Sequence, residues 1–268
     1  MNCNDVDQAL IEWPAASRLP AQAEQHLKSC MRCQELVRAV SAPVPGESPS
    51  PTTLSQIEQA ILADLHAVRP LAPKRYFFAA FAAVFVCIVA VGVIRLGAFA
   101  VAVMSPLQAG GILSALVIGG ALLAYSLVHQ MVPGSRYRIP PKLLSAGVII
   151  SLTVAIAVLF QFQRERNFWA NGWACLRAGI PIGILAAMPF WLLLRRGAVL
   201  SPAVTAAATG LLAGLVGTTV LEIHCPNLDG WHILVSHLGV SVLMAIAGFA
   251  AGWAAEIAAA RSFGRQRK

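Results

Sequence analysis

Along most of this chain the apolar positions do not alternate with polar ones; they run on. Six stretches, 77–94, 107–131, 143–160, 178–194, 203–221 and 233–255, are almost purely apolar. Each is close to the ~20 residues that a helix needs to cross a bilayer. They predict six transmembrane helices. Ahead of them the pattern changes. Val6, Leu10 and Trp13 recur at helical spacing, which predicts a helix over 5–13 with Asn4 or Asp5 as its cap. Pro14 and Pro20 bracket a connection, and a second helix is predicted over 20–40, with Leu27, Leu36, Val37 and Val40 on its buried side. Pro43, Pro45, Gly46, Pro49 and Pro51 then mark a stiff, extended linker. Beyond it, Leu54, Ile57, Ile61, Leu65 and Val68 follow steps of three and four, opposite Gln56, Glu58, Gln59 and Asp64. This stripe either packs back on the segment before it or is held open for a partner protein. Leu54, Ile57, Ile61 and Leu65 are the candidate partner-binding residues.

Composition supports the membrane reading. Hydrophobic residues make up 57% of the 268 and charged residues only 12%, against about a quarter charged in a globular chain. The formal charge of +8 is unevenly placed: residues 1–68 hold eight acidic and four basic side chains, net −4, and the remainder is net +12. The basic excess therefore belongs to the span connections, where it sets orientation, and no direct nucleic-acid contact is expected. The first apolar run begins near Tyr76, too late for a signal peptide. Lys74 and Arg75, then Arg136, Arg138 and Lys142, then Arg195 and Arg196, then Arg261, Arg265, Arg267 and Lys268 form the richer set of flanking charges. Arg95, Arg164, Arg166 and Arg177 form the thinner one. The positive-inside rule places both termini in the cytoplasm. The stretch 96–105 either extends the first span or lies at the outer surface. Gly210-x3-Gly214 and Gly248-x3-Gly252 suit close helix contacts, within one bundle rather than between two chains. No acidic or basic residue stands near a span centre, which disfavours a transporter.

The densest chemistry lies in the head, at His26-Leu27-Lys28-Ser29-Cys30-Met31-Arg32-Cys33. Two thiolates separated by two residues can share one zinc ion, and a histidine four residues earlier on a helix supplies a third donor. Cys3 is the candidate fourth. A chance or reactive C-x-x-C is the plainer alternative. Cys3 followed by the H-x3-C-x2-C core, in an Ala/Glu/Leu-rich helical segment, resembles the zinc-binding anti-sigma domain of bacteria. The resemblance covers about the first seventy residues. It implies a small helical domain that binds an extracytoplasmic-function sigma factor while tethered to the inner membrane. The expected architecture is all-α: a zinc-stapled cytoplasmic domain (1–40), a linker and amphipathic helix (41–75), a six-span bundle in the bacterial inner membrane (76–260) and a basic cytoplasmic tail (261–268).

With that topology, Cys175 (in Asn171-Gly172-Trp173-Ala174-Cys175) and Cys225 (in Glu222-Ile223-His224-Cys225-Pro226) both fall in loops on the outer side. Two thiols there can form a disulfide or share a soft metal ion. Trp169, Trp173 and Trp231 suit an interfacial aromatic belt, His224 and His232 read as solvated, and Cys87 as an apolar filler. These loops, the Leu194-Arg195-Arg196-Gly197-Ala198 turn, Pro202 and the Trp231-His232 pair resemble the six-span negative regulators of sigma F. That family resemblance implies that Cys175 and Cys225 take part in sensing metal or oxidative stress. The expected function is a non-enzymatic, membrane-bound anti-sigma factor carrying Zn2+ in its head and releasing its sigma factor by a conformational route. The competing readings are a membrane thiol oxidoreductase, weakened by the lack of an outer C-x-x-C, and a transporter with a zinc regulatory head.

Overall fold

The computed structural model describes residues 3–12, 20–41, 50–64, 72–132, 135, 139–163, 167–197, 199 and 201–266. Trp13, most of the proline-rich linker, Leu65, Val68, Ala198 and the connecting arginines Arg136, Arg138, Arg164 and Arg166 lie outside them. Among the described residues every regular element is a helix, and the chain divides into two compact units, Met1–Val68 and Arg69–Lys268.

The first unit holds α1 (Cys3–Glu12), α2 (Ala21–Leu27), α3 (Met31–Ser41) and α4 (Pro51–Asp64). The single helix expected over 20–40 is two helices. Its break is a turn at Lys28–Cys30, where Ser29 Oγ donates to the His26 carbonyl (3.1 Å) and Gln34 Nε2 donates to the Leu27 carbonyl (2.6 Å). The Gln34 amide thereby satisfies the Leu27 carbonyl that the end of α2 leaves open, while the His26 carbonyl also accepts the Ser29 and Cys30 N–H groups. The break rotates α3 relative to α2, so the predicted buried face is also corrected: Leu36 and Val40 are exposed. The small core consists of Val6, Leu10, Ala23 and Cys33, with Leu27 and Val37 partly buried against it. Helix α1 begins at Cys3, ahead of the expected caps, and Asp5 sits in its first turn. On α4, Leu54, Ile57 and Ile61 are 53%, 48% and 57% exposed.

The second unit contains six helices long and apolar enough to span a membrane. They are α5 (Lys74–Leu96), α7 (Pro106–Met131), α8 (Pro141–Leu159), α9 (Phe168–Leu194), α10 (Pro202–His224), and a sixth composed of α11 (Gly230–His232), a π turn (Ile233–His237) and α12 (Leu238–Gln266). Three of them start on proline, whose missing N–H costs nothing at a first helical position. Ser105 and Gln108 form a capping box ahead of α7. The undecided stretch 96–105 is settled: α5 ends at Gly97, in the left-handed region at φ 92°, and a separate short helix, α6 (Phe99–Val103), buries Ala100.

Helix α10 is the axis of this unit and is almost wholly buried. A side chain at Gly210 would collide with the Met244 carbonyl, and one at Gly248 with that of Ala206. The glycine pairs therefore bring α10 and α12 together backbone to backbone within one chain. Thr218 Oγ1 links them further, lying 2.7 Å from the His237 carbonyl and 2.8 Å from Ser241 Oγ. One end of the bundle gathers the starts of α8 and α10 and the ends of α7, α9 and α12. There Thr205 Oγ1 donates to Gln130 (2.8 Å), and Glu256 accepts the Ala203 N–H (2.9 Å) at the positive end of α10. At the other end, Gln108 Nε2 donates to the Leu159 carbonyl (3.0 Å), the Gly230 N–H to that of Gln161 (2.8 Å), and the Gln163 N–H to Asp229 (2.6 Å).

Candidate metal centres

The two units each carry a cluster of cysteine and histidine. In the first, Cys3 opens α1, His26 lies in the last turn of α2, Cys30 stands immediately before α3, and Cys33 is in the first turn of α3. The turn that interrupts the predicted helix is thus what presents the donors. All four ligand atoms lie within 4.8 Å of one another. Cys3 Sγ is 3.6 Å from His26 Nε2 and 3.7 Å from Cys30 Sγ. In a tetrahedron with ordinary zinc bond lengths, sulfur–sulfur edges are about 3.8 Å and sulfur–nitrogen edges about 3.5 Å. The residues therefore fit a metal of that size, and Cys3 is placed as fully as the other three. The backbone N–H and thiol of Cys33, with Cys3 and His26, lower the Cys30 thiol to about 7, whereas burial, with the neighbouring sulfurs, raises Cys33 to about 12. A metal that binds both as thiolates must displace protons, so occupancy is expected to fall as the pH drops. Replacing Cys3 by Ser takes away one of the four candidate donors. The loss in metal affinity, read by competition with a chelating dye, is expected to exceed the about 10- to 100-fold typical of an outer-shell partner.

The second cluster lies at the end of the bundle opposite Gln130 and Glu256. It corrects two expectations, for Cys175 and His232, and supplies residues that the sequence reading did not choose. Cys175 is not on a loop; α9 starts at Phe168 and carries it in its third turn. Cys225 caps the end of α10, as expected. Both are free thiols, 3.5 Å apart. His232, expected to be solvated, is 1% exposed, and its Nε2 sits 3.4 Å from Cys175 Sγ and 3.5 Å from Cys225 Sγ. His237 joins them: one ligand atom from each of Cys175, Cys225, His232 and His237 falls within a common 4.8 Å. Behind it, Glu222 of α10 is buried, with Oε1 3.1 Å from His237 Nδ1. The Cys225 thiol, just beyond α10, is held below its ordinary range by the Cys175 thiol that donates to it, with the two histidine rings acting in the same direction and burial opposing them.

Neither His237 nor Glu222 stood out in the sequence, for a physical reason. His232 and His237 are five residues apart, which on an α-helix of 3.6 residues per turn separates them by about 140°. The π turn at 233–237 closes one larger ring, from the Leu238 N–H to the Ile233 carbonyl, and removes most of that separation. Glu222 lies three residues before Cys225 on α10, one helical turn away, and that spacing was the available signal.

Six helices of membrane-spanning length, with thiols and imidazoles clustered at one end of the bundle and a second such cluster in the unit before it, define the architecture of a multi-pass membrane protein. The chain belongs to the negative regulator of sigma F family, whose model matches residues 61–255. The match takes in the end of α4 and all six spans; the head's donor quartet lies before it. No curated protein and no solved structure matches the chain.

Proposed function

We propose that this protein is an anti-sigma factor of the bacterial inner membrane that sequesters an extracytoplasmic-function sigma factor at its cytoplasmic head and releases it when Cys175 and Cys225 sense metal or oxidative stress outside. Membership of a family of negative regulators of a sigma factor supports a sigma partner. The observation that carries the sensing role is the convergence of two free thiols, from different spans, at one end of the bundle. The basic residues Lys74, Arg75, Lys142, Arg195 and Arg196 flank the other ends of their spans, which supports a cytoplasmic position for those ends and an outer one for the thiols. Zinc, the usual metal of a closed Cys3His site, holds the head together through Cys3, His26, Cys30 and Cys33.

The sigma factor docks on α4. Its apolar stripe of Leu54, Ile57 and Ile61 is open to solvent, the arrangement by which an amphipathic helix enters a partner's groove; Leu65 would continue the stripe. Outer signals act on α10 and the sixth span, because those helices carry Cys225, His232 and His237 and share the closest packing in the unit. The test is a double variant, Ile57→Asp with Ile61→Asp, in the full-length protein. Truncating an interface anchor costs about 2 kcal/mol or more. Affinity for the sigma factor that co-purifies with the wild type is expected to fall on the order of a hundredfold or more, with metal content and membrane insertion unchanged. Undiminished binding would remove α4 as the docking helix.

A further inference from the structure

We infer that Cys175, Cys225, His232 and His237 form a single four-donor site for one divalent thiophilic cation of the zinc and cadmium type, with Glu222 as the positioning residue for His237. This deepens the sensing role proposed above and rests on that role for its biological consequence alone.

Four observations converge on it. The first is size. Cys175 Sγ, Cys225 Sγ and His232 Nε2 form a triangle with sides of 3.4, 3.5 and 3.5 Å, close to the edges of a tetrahedron around a zinc-sized ion. The second is the backbone. A π turn is rare, occurs mostly as a single turn inside an α-helix and is frequent at functional sites; here it spans the five residues that end at His237. The third is an unmet need. His237 Nε2 and Glu222 Oε2 are buried without a hydrogen-bond partner, on side chains that are each 1% exposed. Such atoms are costly in an apolar bundle unless something satisfies them. One ring nitrogen of His237 lies within 4.8 Å of both sulfurs, where a cation would take it. The fourth is the pairing of His237 Nδ1 with Glu222 Oε1 at 3.1 Å. This is the carboxylate–histidine arrangement that fixes a ligating imidazole's tautomer and orientation.

Charge selects within the class. Two thiolates and the Glu222 carboxylate place three negative charges in a buried pocket. A divalent ion leaves one uncompensated; a monovalent ion leaves two, at greater cost in a low dielectric. Two sulfurs with two imidazoles in a tetrahedron suit closed-shell ions such as Zn2+ and Cd2+. A disulfide between Cys175 and Cys225 would use neither histidine. The close approach of α9 to the π turn, where a Cβ at Gly172 would come within 2.6 Å of Ser236 Oγ, means that an ion binding here ties three spans together.

The probe is Cd2+, titrated into full-length protein in detergent. The background is a Cys3→Ser, Cys30→Ser, Cys33→Ser variant, which removes the thiols of the head. The inference expects one tightly held ion per chain, a thiolate-to-cadmium charge-transfer band, and an X-ray absorption spectrum of two sulfur and two nitrogen donors. Glu222→Gln in this background is expected to weaken binding about 10- to 100-fold, and His237→Ala by more, with size-exclusion profile and melting temperature retained. No bound ion in a background whose six spans keep their helix content and elute as a single species, a shell with no nitrogen, or an affinity unmoved by both His232→Ala and His237→Ala would overturn it. Sigma release is scored separately. A protein that binds no ion yet loses induction on Cys175→Ser refutes this site and keeps the sensing role. One that binds the ion but induces normally without Cys175 does the reverse.

Discussion

Stripped of metal, the head is expected to lose most of the helix in α1, α2 and α3. The expectation follows from how little else holds those helices together. The described core has only two large aliphatic side chains fully buried, Val6 and Leu10, with Ala23 and the ligand Cys33. The ion pair of Arg32 with Asp7, at 3.4 Å, is largely exposed and contributes little. Helices of 10, 7 and 11 residues are too short to persist alone in water. Zinc bound to a peptide of this kind supplies about 10–16 kcal/mol at neutral pH, which becomes folding free energy when the site does not pre-exist in the unfolded chain. Circular dichroism of residues 1–68, before and after chelation, reads the outcome directly. Residual signal from α4 alone is expected, with restoration on adding zinc, and a Cys30→Ser, Cys33→Ser variant should resemble the chelated sample. A metal-free segment as helical as the loaded one would overturn the expectation.

Much of this architecture is legible in the sequence, because its strongest signals are lengths and spacings. Apolar runs of bilayer length give six spans, and the quartet Cys3, His26, Cys30 and Cys33 is brought together as its spacing suggests. Where the reading departs from the structure, a backbone irregularity intervenes. The turn at Lys28–Cys30 breaks a helical period, so Leu36 and Val40 point outward although they satisfy the periodicity. Helix α9 begins ten residues before its purely apolar stretch, since Trp169, Asn171 and Trp173 are tolerated at a membrane interface. Cys175 thereby moves from a loop into a helix. The π turn hides His237 from any count based on 3.6 residues per turn. Glu222 escaped for a related reason: it was placed in a loop, whereas α10 continues through it to His224 and buries it. The small-residue pairs were read as close contacts within one bundle, and the opposing backbones of Gly210 with Met244 and Gly248 with Ala206 place them there.

Gly214→Leu is expected to destabilise the second unit more than any other single substitution considered. A Cβ at this position would overlap the Cα of Ser241 and lie 3.1 Å from its nitrogen. Both obstacles are backbone, so no rotamer change relieves them, and α10 and α12 must move apart. Overpacking against side chains costs about 1–3 kcal/mol. Separation of the helices would add the hydrogen bonds of Thr218 to the His237 carbonyl and Ser241 Oγ, each worth about 0.5–1.5 kcal/mol net and more if the groups stay buried. A total of about 3 kcal/mol or more is therefore anticipated, read as a large fall in melting temperature in detergent. Gly147→Ala is the control: a Cβ there meets nothing within 4 Å, and the gain in helix propensity of up to about 1 kcal/mol should leave the protein unchanged or slightly more stable. Ser241 lies one helical turn beyond His237, so the same separation is expected to pull His237 from Cys225 and expose Cys175 and Cys225 to an alkylating agent. Equal melting temperatures for the two variants would show that the α10–α12 contact yields easily, and would remove that junction as the rigid element on which the Cys175–Cys225 cluster is built.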